Sequence, residues 1–230
     1  MAITTRTKFT EQLDEVEGLI RRLAEKASAD VRACGLAATG DKGASEGVLS
    51  GRKTEDRLRQ AIEDACLDIM LLQQPLIGDD LRFVTGSFRL VSDLSHIDAM
   101  TRDVAFLAQD IPPKATSKLA DEVSQMSEHA ATMVEGAIVA FCDCDVERAQ
   151  MVIESDAAIN ALYKEAEEKL VRLIRDGRSS AQYLPELLMV AKYFERIGDL
   201  AKRVAAWAIF RVTGEHTVSE KTGGRGAAGR

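Results

Sequence analysis

The residues best placed to do chemistry lie in one stretch, Leu187 to Phe210, LLMVAKYFERIGDLAKRVAAWAIF. Apolar residues fall at Leu187, Val190, Phe194, Ile197, Ala201, Val204 and Ala208. Those steps of three and four form a single stripe along an α-helix. With about 100° between successive residues, Glu195 and Asp199 sit off that stripe, side by side on a more polar face. Carboxylates at i and i+4 repel by about a few tenths of a kcal/mol, so cationic neighbours or a bound cation must offset them. Lys192 precedes Glu195 by three residues and Arg203 follows Asp199 by four. The row Lys192, Glu195, Asp199, Arg203 therefore reads as a solvated charge ladder. The other reading is a cation-binding or interaction face.

Other candidates are weaker. His96 follows Asp93 by three residues, which is ligand-like spacing, but His129 and His216 stand apart from it, so it reads as a surface histidine. Cys142-x-Cys144 could hold a soft metal. Two thiolates in a turn lack further ligands, and they read as plain turn cysteines. Trp207 and Phe210 read as core. Gly198 sits inside a helix at a cost of about 1 kcal/mol against alanine, which suits close helix packing. There is no G-x-x-x-x-G-K-[ST] and no G-x-G-x-x-G followed by a helix start to cradle a phosphate, and no nucleophile and base pair stands out. A di-iron carboxylate enzyme needs Glu-x-x-His from two helices plus two further glutamates. Asp93-x-x-His96 is the one approximate case.

The elements that must position these residues are helical. The chain has 230 residues, 46% apolar and 5% aromatic, with 29% charged residues and four prolines. That profile suits an all-α bundle and disfavours an aromatic-rich sandwich. A net charge of −7 argues against nucleic acid as a main partner, and the few basic residues Lys221, Arg225 and Arg230 do not make a nucleic-acid arm. No apolar run reaches the roughly 20 residues of a membrane span, and no leader-like apolar segment opens the sequence. The four cysteines fit no finger spacing, so a reduced, intracellular protein is expected.

Periodicity predicts six long helices. The first starts near Phe9, capped by Thr10, and ends at Gly35 and Gly40. The second spans about 45–72, weakened at Gly51 and stopped by Pro75. The third spans about 79–109 and is closed by Pro112-Pro113. The fourth spans about 117–141. Asp145 caps the fifth, about 146–174, which ends at Asp176-Gly177. The sixth spans about 181–212. The break at Pro112-Pro113 divides three helices from three. Ser95-His96-Ile97 and Glu195-Arg196-Ile197 then correspond, as do Arg52 to Asp56 and Asp156 to Asn160, which indicates a duplicated three-helix bundle. The expected units are residues 1–111, residues 112–216 and a glycine-rich disordered tail, 217–230.

Two segments carry a family resemblance. Leu71-Leu72-Gln73-Gln74-Pro75-Leu76-Ile77-Gly78-Asp79-Asp80-Leu81-Arg82 resembles the LLxQQPxxxDLR turn of the PhoU family, and Phe194-Glu195-Arg196-Ile197-Gly198-Asp199 resembles its LERIGD signature. Spacing and helix order agree over about residues 6 to 214. The resemblance implies two tandem three-helix bundles with pseudo-two-fold symmetry. It implies a cytoplasmic, non-enzymatic regulator that binds the phosphate transporter's ATPase subunit and a sensor histidine kinase, and that forms a homodimer. It also implies E/D-x-x-x-D pairs that hold metal (iron, zinc, manganese or magnesium) on the bundle surface.

Mapped onto this chain, the second repeat has Asp156, Asn160, Glu195 and Asp199 at those positions. The first repeat has Arg52, Asp56, Ser95 and Ala99. Hard multivalent cations need several oxygen ligands. The expectation is therefore a weakened metal site in the second repeat and none in the first. The alternative function is a metal-binding bundle with an oxidase or storage role.

Overall fold

A computed structural model describes residues 2–175 and 181–215. Seven α-helices follow one another: α1 (Ala2–Thr39), α2 (Lys42–Leu72), α3 (Gly78–Asp110), the single turn α4 (Pro113–Thr116), α5 (Ala120–Cys142), α6 (Val146–Arg175) and α7 (Leu184–Thr213). A 3₁₀ turn, Ala181–Tyr183, leads into α7. No strand occurs among the described residues. The expected tail 217–230 and the fifth helix's Asp176-Gly177 stop lie outside them.

The apolar stripes read from the sequence are the buried faces. In α1, Val16, Ile20, Leu23, Ala27 and Val31 are buried, while Phe9 and Leu13 pack at the margin. In α7 all seven stripe residues are buried, and so are Ala191, Leu200, Ala205, Ala206 and Ile209. The wider band follows from α7's neighbours, since it packs against α3, α5 and α6 at once. Helix α1 packs likewise against α2, α3 and α5. The helices thus form two trios, α1–α2–α3 and α5–α6–α7, joined along α1–α5 and α3–α7 around one continuous core. Phe141, Phe194, Met126 and Met133 lie fully buried in it, each stabilising by about 1.5–3 kcal/mol relative to exposure.

Several helix boundaries differ from the periodicity. Thr10 lies inside α1 and does not cap it, because the helix begins at Ala2. Gly35 does not end α1 either. A Cβ there would collide with Ser127 of α5, so the glycine serves close approach of the two helices. The fourth helix is split. Pro113 starts a one-turn α4 at a position where its missing N–H costs nothing, and α5 begins only at Ala120. Gly51 leaves α2 unbroken. Other signals hold: α2 ends at Leu72 ahead of Pro75, and Asp145 Oδ1 accepts from the Arg148 amide at 2.9 Å at the start of α6. Gly214 closes α7 with φ +77°, the left-handed conformation that favours glycine.

Candidate functional site

The second trio presents its acidic residues where α6 meets α7. Asp156 faces α7 from the buried side of α6, only 7% exposed. Its neighbour across the seam is Gly198; a Cβ there would lie 2.9 Å from Ile159 Cγ2 and 3.6 Å from Asp156 Oδ1. The LERIGD glycine thus brings α6 and α7 together, and close packing explains it. Lys202 extends over this contact. Its Nζ donates to Asp156 Oδ2 at 2.6 Å and to Asp199 Oδ1 at 3.0 Å. Burial acts to lower the Lys202 pKa, but the two carboxylates outweigh it and raise the ammonium above its ordinary value. Asn160 donates its amide to the same Asp156 Oδ2 at 3.0 Å. Asp156 Oδ1 is buried with no hydrogen-bond partner.

Glu195 pairs with Lys192 at 2.7 Å, as the spacing suggested, and Lys192 also lies 4.8 Å over the Tyr163 ring. The other half of the expected ladder is different. Asp199 pairs with Lys202, whereas Arg203 crosses to Asp93 of α3. The reason is rotation about the helix: Arg203 faces α3, where Asp93 is buried and also accepts from Trp207 Nε1 at 3.2 Å.

The first trio holds an acidic cluster that the sequence reading missed. Asp30 of α1, Glu55 of α2 and Asp98 of α3 are all buried, with one carboxylate oxygen from each within 4.8 Å of the others. Lys26 contacts Asp30 and lies 2.9 Å from Glu55; Arg102 contacts Asp98 and lies 3.1 Å from Glu55. Gly51 makes room for the lysine, since a Cβ there would sit 2.6 Å from Lys26 Nζ. Burial, followed by the neighbouring Glu55, raises both Asp30 and Asp98 to about 7. Burial pushes Glu55 the same way, but hydrogen bonds from Asp98, Asp30 and Lys26 hold it down to about 2. The cluster is therefore a glutamate held ionised, flanked by two cations and by two carboxyl groups that keep their protons well above the usual carboxylate range. A cleft of about 60 Å³ opens beside it, lined by Arg59, Ser95 and Asp56 among others.

The three carboxylates have the spacing of a cation site, but Lys26 and Arg102 already supply positive charge there. A multivalent ion would have to displace them. The positions judged from the family pattern take no part in the cluster itself. Arg52 and Asp56 form an exposed pair at 3.7 Å, and Ser95 donates to the Val91 carbonyl. The missed signal was phase. Glu55 is in register with Val48, Leu58 and Ile62, and Asp98 with Leu94 and Thr101, so each sits on an apolar stripe.

The remaining candidates separate. His96 is exposed while Asp93 is buried and engaged, so no ligand pair forms. His129 Nε2 bonds the Ser155 carbonyl at 2.9 Å, tying α5 to α6. Cys142 is buried, with its thiol pushed up to about 12 by burial, and Cys144 is exposed.

Fold and site together define a class: an all-α bundle of two helix trios, each carrying carboxylates bridged by a cation of its last helix. Residues 123–208 match the family described as the PhoU domain. A Clostridium acetobutylicum protein named phosphate-specific transport system accessory protein PhoU homolog is 24% identical over 212 residues, covering 92% of this chain and 97% of its own length. An Aquifex aeolicus protein of the same name is 29% identical over 171 residues, 74% of this chain and 77% of its own. The crystal structure of the phosphate transport system regulatory protein PhoU from Streptococcus pneumoniae has the same fold, with a TM-score of 0.80 and 23% identity over 90% of this chain and 98% of that one. The second trio thus matches the PhoU domain, and the chain is similar to proteins named PhoU homologs over most of its length. Among the described residues no helix is long and apolar enough to cross a membrane.

Proposed function

We propose that this chain is a non-enzymatic regulator of phosphate uptake and phosphate-starvation signalling. It acts in the cytoplasm by binding the phosphate transporter's ATPase subunit and a sensor histidine kinase. The observation that carries this is the match to a named phosphate transport accessory protein across 92% of the chain. The chemistry agrees with a binding role: the buried carboxylates are engaged by Lys26, Arg102, Lys202 and Arg203. Regulation would follow from different affinity for different states of the partners. A pull-down with the purified chain should recover the ATPase subunit or the kinase from the source cell. Capture of neither, under conditions in which the chain is folded, overturns the reading. Homodimerisation is part of the proposal, and sedimentation of the free chain checks it.

A second reading is supported by the unpartnered Asp156 Oδ1. A divalent ion (iron, zinc, manganese or magnesium) would be held by Asp156, Asn160, Glu195 and Asp199, in competition with the Lys202 ammonium. Titration calorimetry with Mn²⁺ and Zn²⁺ should then show tighter binding in Lys202→Ala than in the parent chain. Absence of binding in both removes the site. The oxidase alternative gains nothing from Asp93 and His96, which point to different surroundings.

A further inference from the structure

At the end of the bundle where the two trios meet, a cavity of about 380 Å³ lies between α1, α3, α7 and the turn between α5 and α6. Leu13, Phe83 and Val212 supply apolar lining, and Asp14, Glu17, Asp79 and Asp80 supply four carboxylates. Two of these are engaged: Glu17 with Arg21, and Asp79 with Arg82. Among the described residues Asp14 and Asp80 have no ion-pair partner. The one lining cation, Arg211, is turned away. It donates to the Phe141 and Cys142 carbonyls and lies over the Phe83 and Phe141 rings. The cavity therefore suits a cationic group on a partly apolar stem.

The chain leaves α7 beside this cavity. Arg211 and Val212 line it, and Gly214 lies against Arg82, the partner of Asp79. Residues 216–230, outside the described structure, carry Lys221, Arg225 and Arg230 against one acidic side chain, Glu220. Six extended residues span about 20 Å, so Lys221 can reach the cavity from Glu215 without moving a helix.

We propose that this acidic cavity is the docking site of the chain's own basic segment 216–230. Coulomb attraction draws its lysine and arginines toward Asp14 and Asp80, and the pairing is exposed enough for salt to weaken it. The docked segment covers Cys144, which lines the cavity and is exposed, whereas Cys34, Cys66 and Cys142 are buried.

Cys144 is thus a reporter. The test is the rate at which a neutral maleimide labels it, with Cys144→Ala as the blank and melting curves to confirm folding. The chain ending at Glu215, the variant Lys221→Glu/Arg225→Glu/Arg230→Glu and the variant Asp14→Asn/Asp80→Asn should each label several-fold faster than the full chain. Salt should accelerate the full chain alone, and a synthetic 216–230 peptide should slow the truncated one. Equal rates in the full and truncated chains overturn the proposal. So does equal protection by a scrambled peptide of the same charge, which would mark a site for basic peptides in general. Protection that rises with protein concentration would assign the cavity to a second copy and overturn it too.

Discussion

The two trios solve one electrostatic problem at different depths. Each places a carboxylate of its middle helix against a cation of its last helix: Glu55 with Arg102 in the first, Asp156 with Lys202 in the second. In the first trio α1 adds Asp30 and Lys26, and Asp98 stands where the second trio has Gly198. Three carboxylates with a 60 Å³ cleft beside them make a buried network. In the second trio the glycine lets Ile159 fill that space, and Asp199 remains exposed. Aspartate for glycine and glutamate for isoleucine on the seam, with Asp30 and Lys26 added by α1, separate a buried ionic network from a packed seam edged by the Asp199–Lys202 pair.

That contrast can be broken by mutation. Glu55→Ala leaves Lys26 and Arg102 without their shared anion, and should cost about 3 kcal/mol, a fall in melting temperature of roughly 6–12 °C. Gly198→Ala forces a methyl against Ile159. About 1–3 kcal/mol of overpacking is offset in part by about 1 kcal/mol of helix propensity, leaving a drop of a few degrees by calorimetry. Lys202→Ala takes the cation from the buried Asp156, to which the Asn160 amide still donates, and should cost about 1 kcal/mol.

A pH series sharpens the comparison further. Asp30 and Asp98 titrate near 7 in the folded chain against 3.8 as the ordinary value. Between these limits the folded state holds protons that the unfolded state has released. Their contribution to stability therefore falls as pH rises from about 4 to about 7. Asp98→Asn keeps a donor toward Glu55 without titrating. Denaturant melts at pH 5 and pH 8 should differ less in Asp98→Asn than in the parent chain; an unchanged difference would show that Asp98 is not the group responsible.

Much of this architecture was legible beforehand because helices advertise themselves by period. The α7 stripe from Leu187 to Ala208 is buried residue by residue, and the stops at Pro75, Pro112 and Gly214 follow from what proline and glycine do to a backbone. Boundaries set by neighbours were not legible. Gly35 looks like a terminator until Ser127 of α5 is seen against it. Charge pairing was half legible. Lys192 and Glu195 share a helix and pair as their spacing requires, but Asp199 and Arg203 each find a different partner, and the partner of Arg203 is 110 residues away.

The order and apolar faces of the long helices, and the duplication that sets three against three, are properties of the sequence alone, since they depend on interactions within a few residues. Which ammonium or guanidinium neutralises which carboxylate was decided only when the helices packed. Asp30, Glu55 and Asp98 come from three helices, and a buried charge answers to whatever lies within a few ångströms of it, regardless of distance along the chain.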